Sequence, residues 1–255
     1  MKNTKGKVIT ITSSKGGVGK TIFATNLAGV FEHLKKKTLL IDMDLSCGGI
    51  SVLLNLEKSK TIYNLFDDIL NNRFKNFDDY IYHYSEYIDI IPSCKDPRQG
   101  NKIDSKIIEQ IVNTYKGNYE VVIIDTIHVP VLATLVAIDI SDIVLYMVTD
   151  NIQDLKNTSS MLAILDDMKK DNIKVVLNNS CRFEKNYFSK FDIKNVIKHN
   201  LDYILPSSMY ISNINKYIMD GKILVLNNKL SFKNNGDREL LIKIANSLIG
   251  DNDEK

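Results

Sequence analysis

Several features that would point to particular classes of protein are missing from this 255-residue chain. It has only three cysteines, Cys47, Cys94 and Cys181, and they are widely spaced and form no Cys-x-x-Cys pair. That spacing gives a metal or cluster site little support, and the odd number suits a reducing compartment. The net charge of +2 is too small to imply nucleic-acid or membrane binding by itself.

Long apolar segments are missing as well. The longest apolar stretch, around Val129 to Ala137, is far shorter than the ~20 residues that span a bilayer. The first seven residues contain no apolar segment, so the sequence predicts no signal peptide. No Pro/Gly/Ser-rich linker, repeat or low-complexity block divides the chain. We therefore expect a single domain over residues 1–255 and a cytoplasmic location.

What the chain does have is an alternation of strand and helix patterns. The candidate strands are Lys7–Thr12, Thr38–Asp42, Tyr87–Pro92, Tyr119–Asp125, Asp142–Thr149, Ile173–Asn178 and Asp202–Leu205. Several are continuous Val/Ile/Leu runs, which are typical of parallel strands buried on both faces. Helical patterns lie between them, notably over Asn151–Lys170 and Asp237–Ile249. This alternation predicts an α/β fold with a doubly wound, mainly parallel sheet flanked by helices.

A phosphate-binding loop is indicated by residues 13–21, which read Ser-Ser-Lys-Gly-Gly-Val-Gly-Lys-Thr between the first strand and a helical pattern. The glycines let backbone N–H groups turn toward an oxyanion, and the helix N-terminus adds its positive dipole. We expect Lys20 to bridge the β- and γ-phosphates and the Thr21 hydroxyl to contact Mg²⁺. The general pattern has glycine at position 14, where this chain has Ser14. The expected nucleotide-binding residues are Gly16, Gly17, Val18, Gly19, Lys20, Thr21 and Ile22.

Two further predicted strands carry aspartates at their carboxyl ends. One ends at Asp42 and continues through Met43 to Asp44, and the other ends at Asp125. The carboxyl ends of parallel strands meet at one edge of the sheet, where ligands bind. An acid placed there can hold Mg²⁺ directly or through water, although an isolated strand-end Asp is more often a turn or helix cap. Thr21, Asp42 and Asp125 are the expected magnesium site.

The extra lysine, Lys15, points to a family. The run Lys15-Gly-Gly-Val-Gly-Lys-Thr21 resembles the deviant Walker A loop of the ParA/MinD class of ATPases. This resemblance implies a three-layer P-loop NTPase fold and an ATPase that uses Mg²⁺ and ATP and dimerises on ATP binding. It also implies that Lys15 reaches across the dimer interface to the partner subunit's nucleotide. The alternative to this role across the interface is that Lys15 only attracts anions toward the loop or is simply solvated.

The aspartate motifs extend the resemblance to the switch regions of that class. Asp42-x-Asp44 resembles switch I, which implies that Asp44 orients the attacking water and that Asp42 supports Mg²⁺ through water. Asp125 matches the switch II aspartate. The class often continues Asp-Thr-Pro-Pro, whereas this chain reads Asp125-Thr-Ile-His-Val-Pro130. The loss of the stiff Pro-Pro leaves the switch II conformation open, and His128 is either a sensor of nucleotide state or a solvated loop residue.

Two more segments resemble the adenine-binding part of the class. Lys174-Val-Val-Leu-Asn178 resembles a strand whose terminal Asn reads adenine, so Asn178 would take that role, although Asn179 replaces the usual Arg. Tyr203-Ile-Leu-Pro206 resembles the segment that lines the adenine pocket, which implies a role for Pro206. The alternative for both segments is that their terminal residues only form the turns that commonly follow strands.

The subfamily is predicted from weaker similarities. The run from Asp42 to Ile50 and the run from Val148 to Asn157 are most like the CpaE/TadZ type, which is linked to pilus assembly. This implies a spatial or assembly switch, with slow turnover until an unidentified protein partner or cargo accelerates it. The end of the chain, 249–255, is polar and acidic, so we expect no autonomous membrane anchor and recruitment to a membrane or pole only through a partner.

Two alternatives stay open. A partition ATPase would bind DNA through a basic surface, for which Lys222, Lys229, Lys233 and Arg238 are candidates, although a solvated face explains them more simply. A nucleotide-dependent docking module would bind ATP and dimerise but scarcely hydrolyse it. The docking module differs from an ATPase in whether Asp44 and the switch II loop are able to support ATP hydrolysis.

Overall fold

The computed structural model describes residues 6–46, 48–56, 60–181, 187–212, 214–227 and 235–250. The segment before Gly6, Cys47, the candidate DNA contacts Lys229 and Lys233, and the acidic end after Gly250 lie outside these ranges.

The alternation of strands and helices predicted from the sequence is confirmed. The strands are β1 Lys7–Thr12, β2 Thr38–Met43, β3 Tyr82–His83, β4 Ile88–Ile91, β5 Val121–Thr126, β6 Ile143–Val148, β7 Ile173–Asn178 and β8 Tyr203–Leu205. The helices are α1 Lys20–His33, α2 Gly49–Leu53, α3 Ile62–Leu70, α4 Pro97–Gly100, α5 Lys106–Tyr115, α6 Leu132–Ile140, α7 Ile152–Asp167, α8 Lys190–Ile197, α9 Asn215–Ile218 and α10 Asn235–Ile249. Single 3₁₀ turns lie at Phe77–Tyr80, Ser207–Met209 and Leu224–Leu226.

All eight strands form one sheet in the order β3-β4-β2-β5-β1-β6-β7-β8. Each neighbouring pair is parallel except β3 and β4, which are antiparallel. The sequence did not predict β3, because a two-residue strand has no periodicity of its own and is defined by its hydrogen bonds to β4. The sheet is thus mainly parallel, as predicted, with one antiparallel strand at its edge.

The sheet is covered on both faces because alternate residues of its central strands point to opposite sides. Ile9 and Ile11 of β1 belong to a core cluster that includes residues of α1 and α10. Val8 belongs to a second cluster, on the α3 and α5 side. A third cluster joins β6 and β7 to α7 and α8. The result is a three-layer helix–sheet–helix arrangement, which confirms the predicted fold class.

The register of the central strands places the predicted acidic residues together. Asp42 of β2 and Asp125 of β5 are Cα partners, and Asp125 is also the Cα partner of Ile11 in β1. The loop after β1 therefore leaves the same edge of the sheet as both aspartates. No described helix is long and apolar enough to cross a bilayer.

Candidate nucleotide-binding site

The loop between β1 and α1 has the conformation that its glycines permit. Gly17 and Gly19 have φ angles of +76° and +92°, in the left-handed region that disfavours residues with a Cβ. Gly19 is the N-cap of α1 and contributes no side-chain hydrogen bond to the helix. The first N–H groups of a helix have no intrahelical partners, so they are available to an anion. Gly16 and Gly17 are exposed, whereas Val18 is buried.

Lys20 is held inside the loop. Only 8% of the residue is exposed, and its Nζ donates a hydrogen bond to Ser13 Oγ at 2.9 Å. Burial lowers the pKa of Lys20, while the negative charges of Asp125, Asp44 and Asp154 oppose that shift. The ammonium group therefore lies in the combined field of three carboxylates at the end of the phosphate loop.

The two strand-end aspartates are fully buried but differ in their hydrogen bonding. Asp42 accepts bonds from the backbone N–H groups of Asp44 at 3.1 Å and Ile50 at 3.0 Å. Neither carboxylate oxygen of Asp125 has a hydrogen-bond partner. Burial raises the pKa of Asp125 to about 7, and the nearby Thr21 hydroxyl and Lys20 charge oppose the rise. The pKa of Asp42 is raised well above its usual range, first by burial and then by Asp125.

These groups fit a magnesium ion. Buried carboxylate oxygens without a partner are rare in proteins, and a cation is one of the accepted explanations. Thr21 lies beside them at the start of α1, and a Cβ on Gly49 would stand 3.1 Å from its hydroxyl oxygen. Among the described residues no group of three or more His, Cys, Asp or Glu side chains could hold a metal. Mg²⁺ uses few protein ligands and keeps water and phosphate oxygens, so Thr21 and Asp125 could supply its protein contacts.

Asp44 lies at the same edge but is engaged in its own loop. The residue is half-buried, and its Oδ1 accepts hydrogen bonds from the Ser46 hydroxyl at 2.6 Å and the Ser46 N–H at 3.2 Å. The Asp44 carbonyl accepts a bond from Ser93 Oγ at 2.7 Å. The carboxylate is thus positioned by short contacts within switch I, close enough to Lys20 to affect its pKa.

Lys15 lies in the phosphate loop, five residues before Lys20. It is half-buried and lines a cavity of about 200 Å³ together with Thr149, Asp150 and Asn151. Its charge also counteracts the rise that burial causes in the pKa of Asp154. The sequence did not single out Asp154, whose only signal was its place in the Val148–Asn157 run.

A second cavity of about 200 Å³ adjoins the loop near Asn178. Its wall includes Ile22 and Phe23 of α1, together with Leu205 and Met209, which lie one residue before and three residues after half-buried Pro206. The lining is mainly apolar, as a nucleotide base requires.

Asn178 contacts the phosphate loop itself. Its amide nitrogen donates to the Val18 carbonyl at 2.8 Å, and its Oδ1 accepts from Ser180 Oγ at 2.6 Å. The neighbouring Cys181 thiol also bonds to the Val18 carbonyl, at 3.3 Å. Sequence reasoning missed Cys181, since a lone cysteine beyond a strand end carries no pattern. Asn178 therefore joins the end of β7 to the loop, and its adenine-reading role stays a prediction.

A comparison with known protein families identifies the class. A family model described as an AAA domain matches residues 6–177, which is more than half of the chain. The chain belongs to this AAA-domain family. Its relatives and structural neighbours include MinD and ParA proteins, the class that its phosphate loop resembles.

Three curated relatives illustrate this. The chain is 33% identical over 119 residues to an uncharacterized ATP-binding protein of Methanocaldococcus jannaschii, covering 46% of this chain and 43% of that protein. It is 30% identical over 128 residues to the septum site-determining protein MinD of Bacillus subtilis, covering 47% and 44%. It is 26% identical over 208 residues to the chromosome partitioning protein ParA of Myxococcus xanthus, covering 78% and 70%. The match thus spans less than half the length of the first two relatives.

Solved structures of the class share the fold. A ParA family ATPase from Chlorobium tepidum superposes with a TM-score of 0.79 at 18% identity, covering 94% of this chain and 98% of that one. MinD from Pyrococcus horikoshii, complexed with Mg-ADP, gives 0.75 at 22% identity, covering 95% and 96%. MinD in a MinC:MinD complex from Aquifex aeolicus gives 0.74 at 25% identity, covering 96% of each chain. The chain therefore shares the architecture of these ParA and MinD structures over nearly its whole length.

Proposed function

We propose that this ParA/MinD-class chain binds ATP with Mg²⁺, dimerises on binding and returns to the monomer when ATP is hydrolysed. The observation that carries the proposal is Asp125, a fully buried carboxylate without a hydrogen-bond partner beside Lys20 and Thr21. An unpaired buried charge is costly, and a cation bound to nucleotide would remove that cost. We infer that residues 1–255 act as a single ATPase domain.

The phosphate-loop residues would bind and orient the nucleotide. In this proposal Lys20 leaves Ser13 and contacts the β- and γ-phosphates, while the N–H groups at the start of α1 bind phosphate oxygens. Thr21 and Asp125 hold Mg²⁺ directly or through water, and Asp42 does so through water. Bound Mg²⁺ would neutralise charge on the phosphate oxygens. The expected nucleotide contacts are Gly16, Gly17, Val18, Gly19, Lys20, Thr21, Ile22, Asn178 and Pro206.

Hydrolysis would depend on Asp44. Phosphoryl transfer needs little proton abstraction, so the main contribution of this carboxylate would be to position the attacking water. Its present contacts with Ser46 would have to exchange for that water when switch I rearranges around Mg-ATP. We expect slow turnover in the absence of a partner protein.

The nucleotide assignment is tested by calorimetry with ATP and Mg²⁺. Lys20→Ala should abolish measurable binding, because it removes the buried cation of the loop. Lys106→Ala, which removes an exposed lysine at the start of α5, is the matched control and should bind as the wild type does. Equal, tight binding by Lys20→Ala would refute the phosphate-loop assignment. The same titration with GTP tests the preference for ATP, which rests on Asn178 and the class resemblance.

A second experiment separates binding from turnover. Asp44→Ala should bind ATP, hydrolyse it poorly and accumulate as a dimer, because the fold and Mg²⁺ ligands stay in place while the water-positioning group is lost. Phosphate release and sedimentation measure the two effects. If Asp44→Ala hydrolysed ATP at the wild-type rate, another group would have to position the water, and the absence of measurable hydrolysis in both proteins would favour the docking-module alternative.

Dimerisation is tested at Lys15. Two ATP-loaded faces repel each other, and a cation placed between them reduces that repulsion in a water-poor interface. Lys15→Gln should therefore keep ATP binding as a monomer but lose ATP-dependent dimerisation and hydrolysis together. Sedimentation with a non-hydrolysable ATP analogue decides the matter. A wild-type dimer population would show that Lys15 has no part in the interface.

The cellular role that we propose is that of a spatial positioning or assembly switch, of the CpaE/TadZ type that acts with pilus or secretion machinery. An unidentified protein partner is supported by the class, since the Aquifex MinD structure contains MinC. The partition alternative is supported by the Myxococcus relative, which is named as a chromosome partitioning protein. Of the described candidate DNA contacts, Lys222 is exposed and Arg238 is hydrogen-bonded to His33 at 3.1 Å. Retention on DNA with ATP would favour partition.

A further inference from the structure

His128, in the switch II loop, lies against the phosphate loop. A Cβ built on Gly16 would stand 3.4 Å from both Cε1 and Nδ1 of the imidazole, so the ring covers the open side of this glycine. His128 is nevertheless exposed, so a ligand can reach it from solvent. A solvated loop histidine need not contact the site, and this contact therefore favours a role in nucleotide binding.

The backbone on both sides of His128 is held in place. Before it, Thr126 Oγ1 donates a hydrogen bond to the Ile11 carbonyl of β1 at 2.9 Å. After it, the Val129 carbonyl accepts bonds from Val131 N–H at 2.8 Å and Thr134 Oγ1 at 3.1 Å. These hydrogen bonds restrain the backbone where the class often has the stiff Pro-Pro pair. The histidine is presented to the phosphate loop from a fixed position.

A chain of contacts links the ring to the place of the terminal phosphate. Ser13 Oγ accepts the hydrogen bond of Lys20 Nζ at 2.9 Å, and Ser13 and His128 line one cavity of about 290 Å³. The lysine of a phosphate loop binds the β- and γ-phosphates. The terminal phosphate would replace Ser13 as the partner of Lys20, and it would then adjoin the cavity that His128 lines.

We propose that His128 donates a hydrogen bond from its imidazole to the γ-phosphate and so makes the site distinguish ATP from ADP. This inference rests on the proposed function. An imidazole carries at least one N–H group that can donate a hydrogen bond. Hydrogen bonds to a phosphate are charge-assisted and stronger than neutral ones. ADP has no γ-phosphate and would not use the contact.

The test compares affinities for Mg-ADP and a non-hydrolysable Mg-ATP analogue by calorimetry, with sedimentation of the same samples to record their oligomeric state. His128→Leu keeps an apolar side chain against Gly16 but removes the donor, so the analogue should bind about tenfold more weakly. Its ADP affinity should stay within about twofold of the wild type. His128→Gln restores an N–H donor and should recover most of the preference for the analogue.

Several outcomes would overturn the role of His128. They are an unchanged ratio of the two affinities in His128→Leu, an equal loss for both nucleotides, or no recovery in His128→Gln. Retained ADP affinity shows that each variant is folded. His83→Ala, which removes an exposed histidine from β3, is the matched control and should behave as the wild type does. If the wild type bound neither nucleotide, the proposed function itself would fail, whereas Lys20-dependent binding with an unchanged ratio would refute only this inference.

Discussion

Carboxylates on the β4 side of the sheet are paired, whereas one at the phosphate-loop edge is not. Asp89 accepts a hydrogen bond from the Tyr119 hydroxyl at 2.7 Å, and Asp68 accepts one from the Tyr80 hydroxyl at 2.7 Å. Asp125 is fully buried, and neither of its oxygens has a hydrogen-bond partner. Aspartate carboxylates therefore accept hydrogen bonds in the first region, whereas the carboxylate of Asp125 in the second region has no hydrogen-bond partner.

The pKa values follow this difference. The Tyr80 hydroxyl, followed by Arg73, lowers the pKa of Asp68. Burial raises the pKa of Asp125 to about 7. The first region therefore uses carboxylates to build the fold, whereas the second holds one in a state that a bound cation would stabilise.

The paired region is also where the aromatic side chains gather. Phe74 and Phe77 meet at a ring-centroid distance of 4.7 Å, Phe77 and Tyr115 at 5.7 Å, and Tyr115 and Tyr119 at 5.9 Å. Tyr80 stacks on Phe74 at 6.4 Å. These tyrosines pack a core and direct their hydroxyls at carboxylates, so substitutions there should act on stability and not on nucleotide binding.

The largest expected effect is that of Tyr80→Ala, which should lower the free energy of unfolding by about 3–5 kcal/mol. The side chain is almost fully buried, and its loss leaves a cavity and removes the hydroxyl partner of Asp68. Urea unfolding measures the loss, and Tyr80→Phe is the control that removes the hydroxyl alone. A loss below about 1 kcal/mol would show that this region is not a rigid core.

Asp125→Asn should raise the free energy of unfolding at neutral pH, whereas Tyr80→Ala lowers it. The ordinary pKa of the group is 3.8 and its folded value is about 7. Between these values the folded protein binds a proton that the unfolded chain does not, so stability falls as the pH rises from about 4 to 7. The penalty is complete above pH 7. Asparagine does not titrate, so the loss of stability between pH 4 and pH 8 should shrink by about 3–4 kcal/mol.

Denaturant curves at the two pH values, without nucleotide or Mg²⁺, test this prediction. Comparing each protein with itself cancels any fixed cost of the buried amide. Asp125→Asn should also lose Mg²⁺-dependent nucleotide binding, which calorimetry measures. An identical pH dependence in wild type and variant would contradict the unsatisfied state of Asp125.

The smallest expected effect is that of Tyr119→Phe. The variant keeps the ring in the aromatic core but leaves Asp89, which is 6% exposed, without one hydrogen-bond donor. Removing one partner of a buried polar group costs about 1–3 kcal/mol, which thermal or urea unfolding should record as destabilisation. Its nucleotide affinity should equal that of the wild type. If Tyr119→Phe were more stable than the wild type, the Tyr119 hydroxyl would not stabilise Asp89. The contrast between a paired Asp89 and an unpaired Asp125 would then no longer hold.

Much of the fold could be predicted from the sequence because its signals are local. The bounds of β1 and β7 agree with the predicted strands, since continuous β-branched runs mark strands buried on both faces. The short strand β3 could not be predicted, because only its pairing with β4 defines it. At the site, the glycine loop, Lys20 and the strand-end aspartates carry recognisable patterns, whereas Cys181 has none and Asp154 has only its place in the Val148–Asn157 run.

The sequence by itself determined the α/β alternation, the left-handed glycines of the phosphate loop and the acidic ends of β2 and β5. These follow from residue type and neighbouring residues. Only the tertiary structure decided that β5 lies between β2 and β1, which makes Asp42 and Asp125 register partners and brings His128 onto Gly16. Strand order is set by crossover connections and the packing of helices on both faces. Contacts between residues more than a hundred positions apart therefore leave no local signal in the chain.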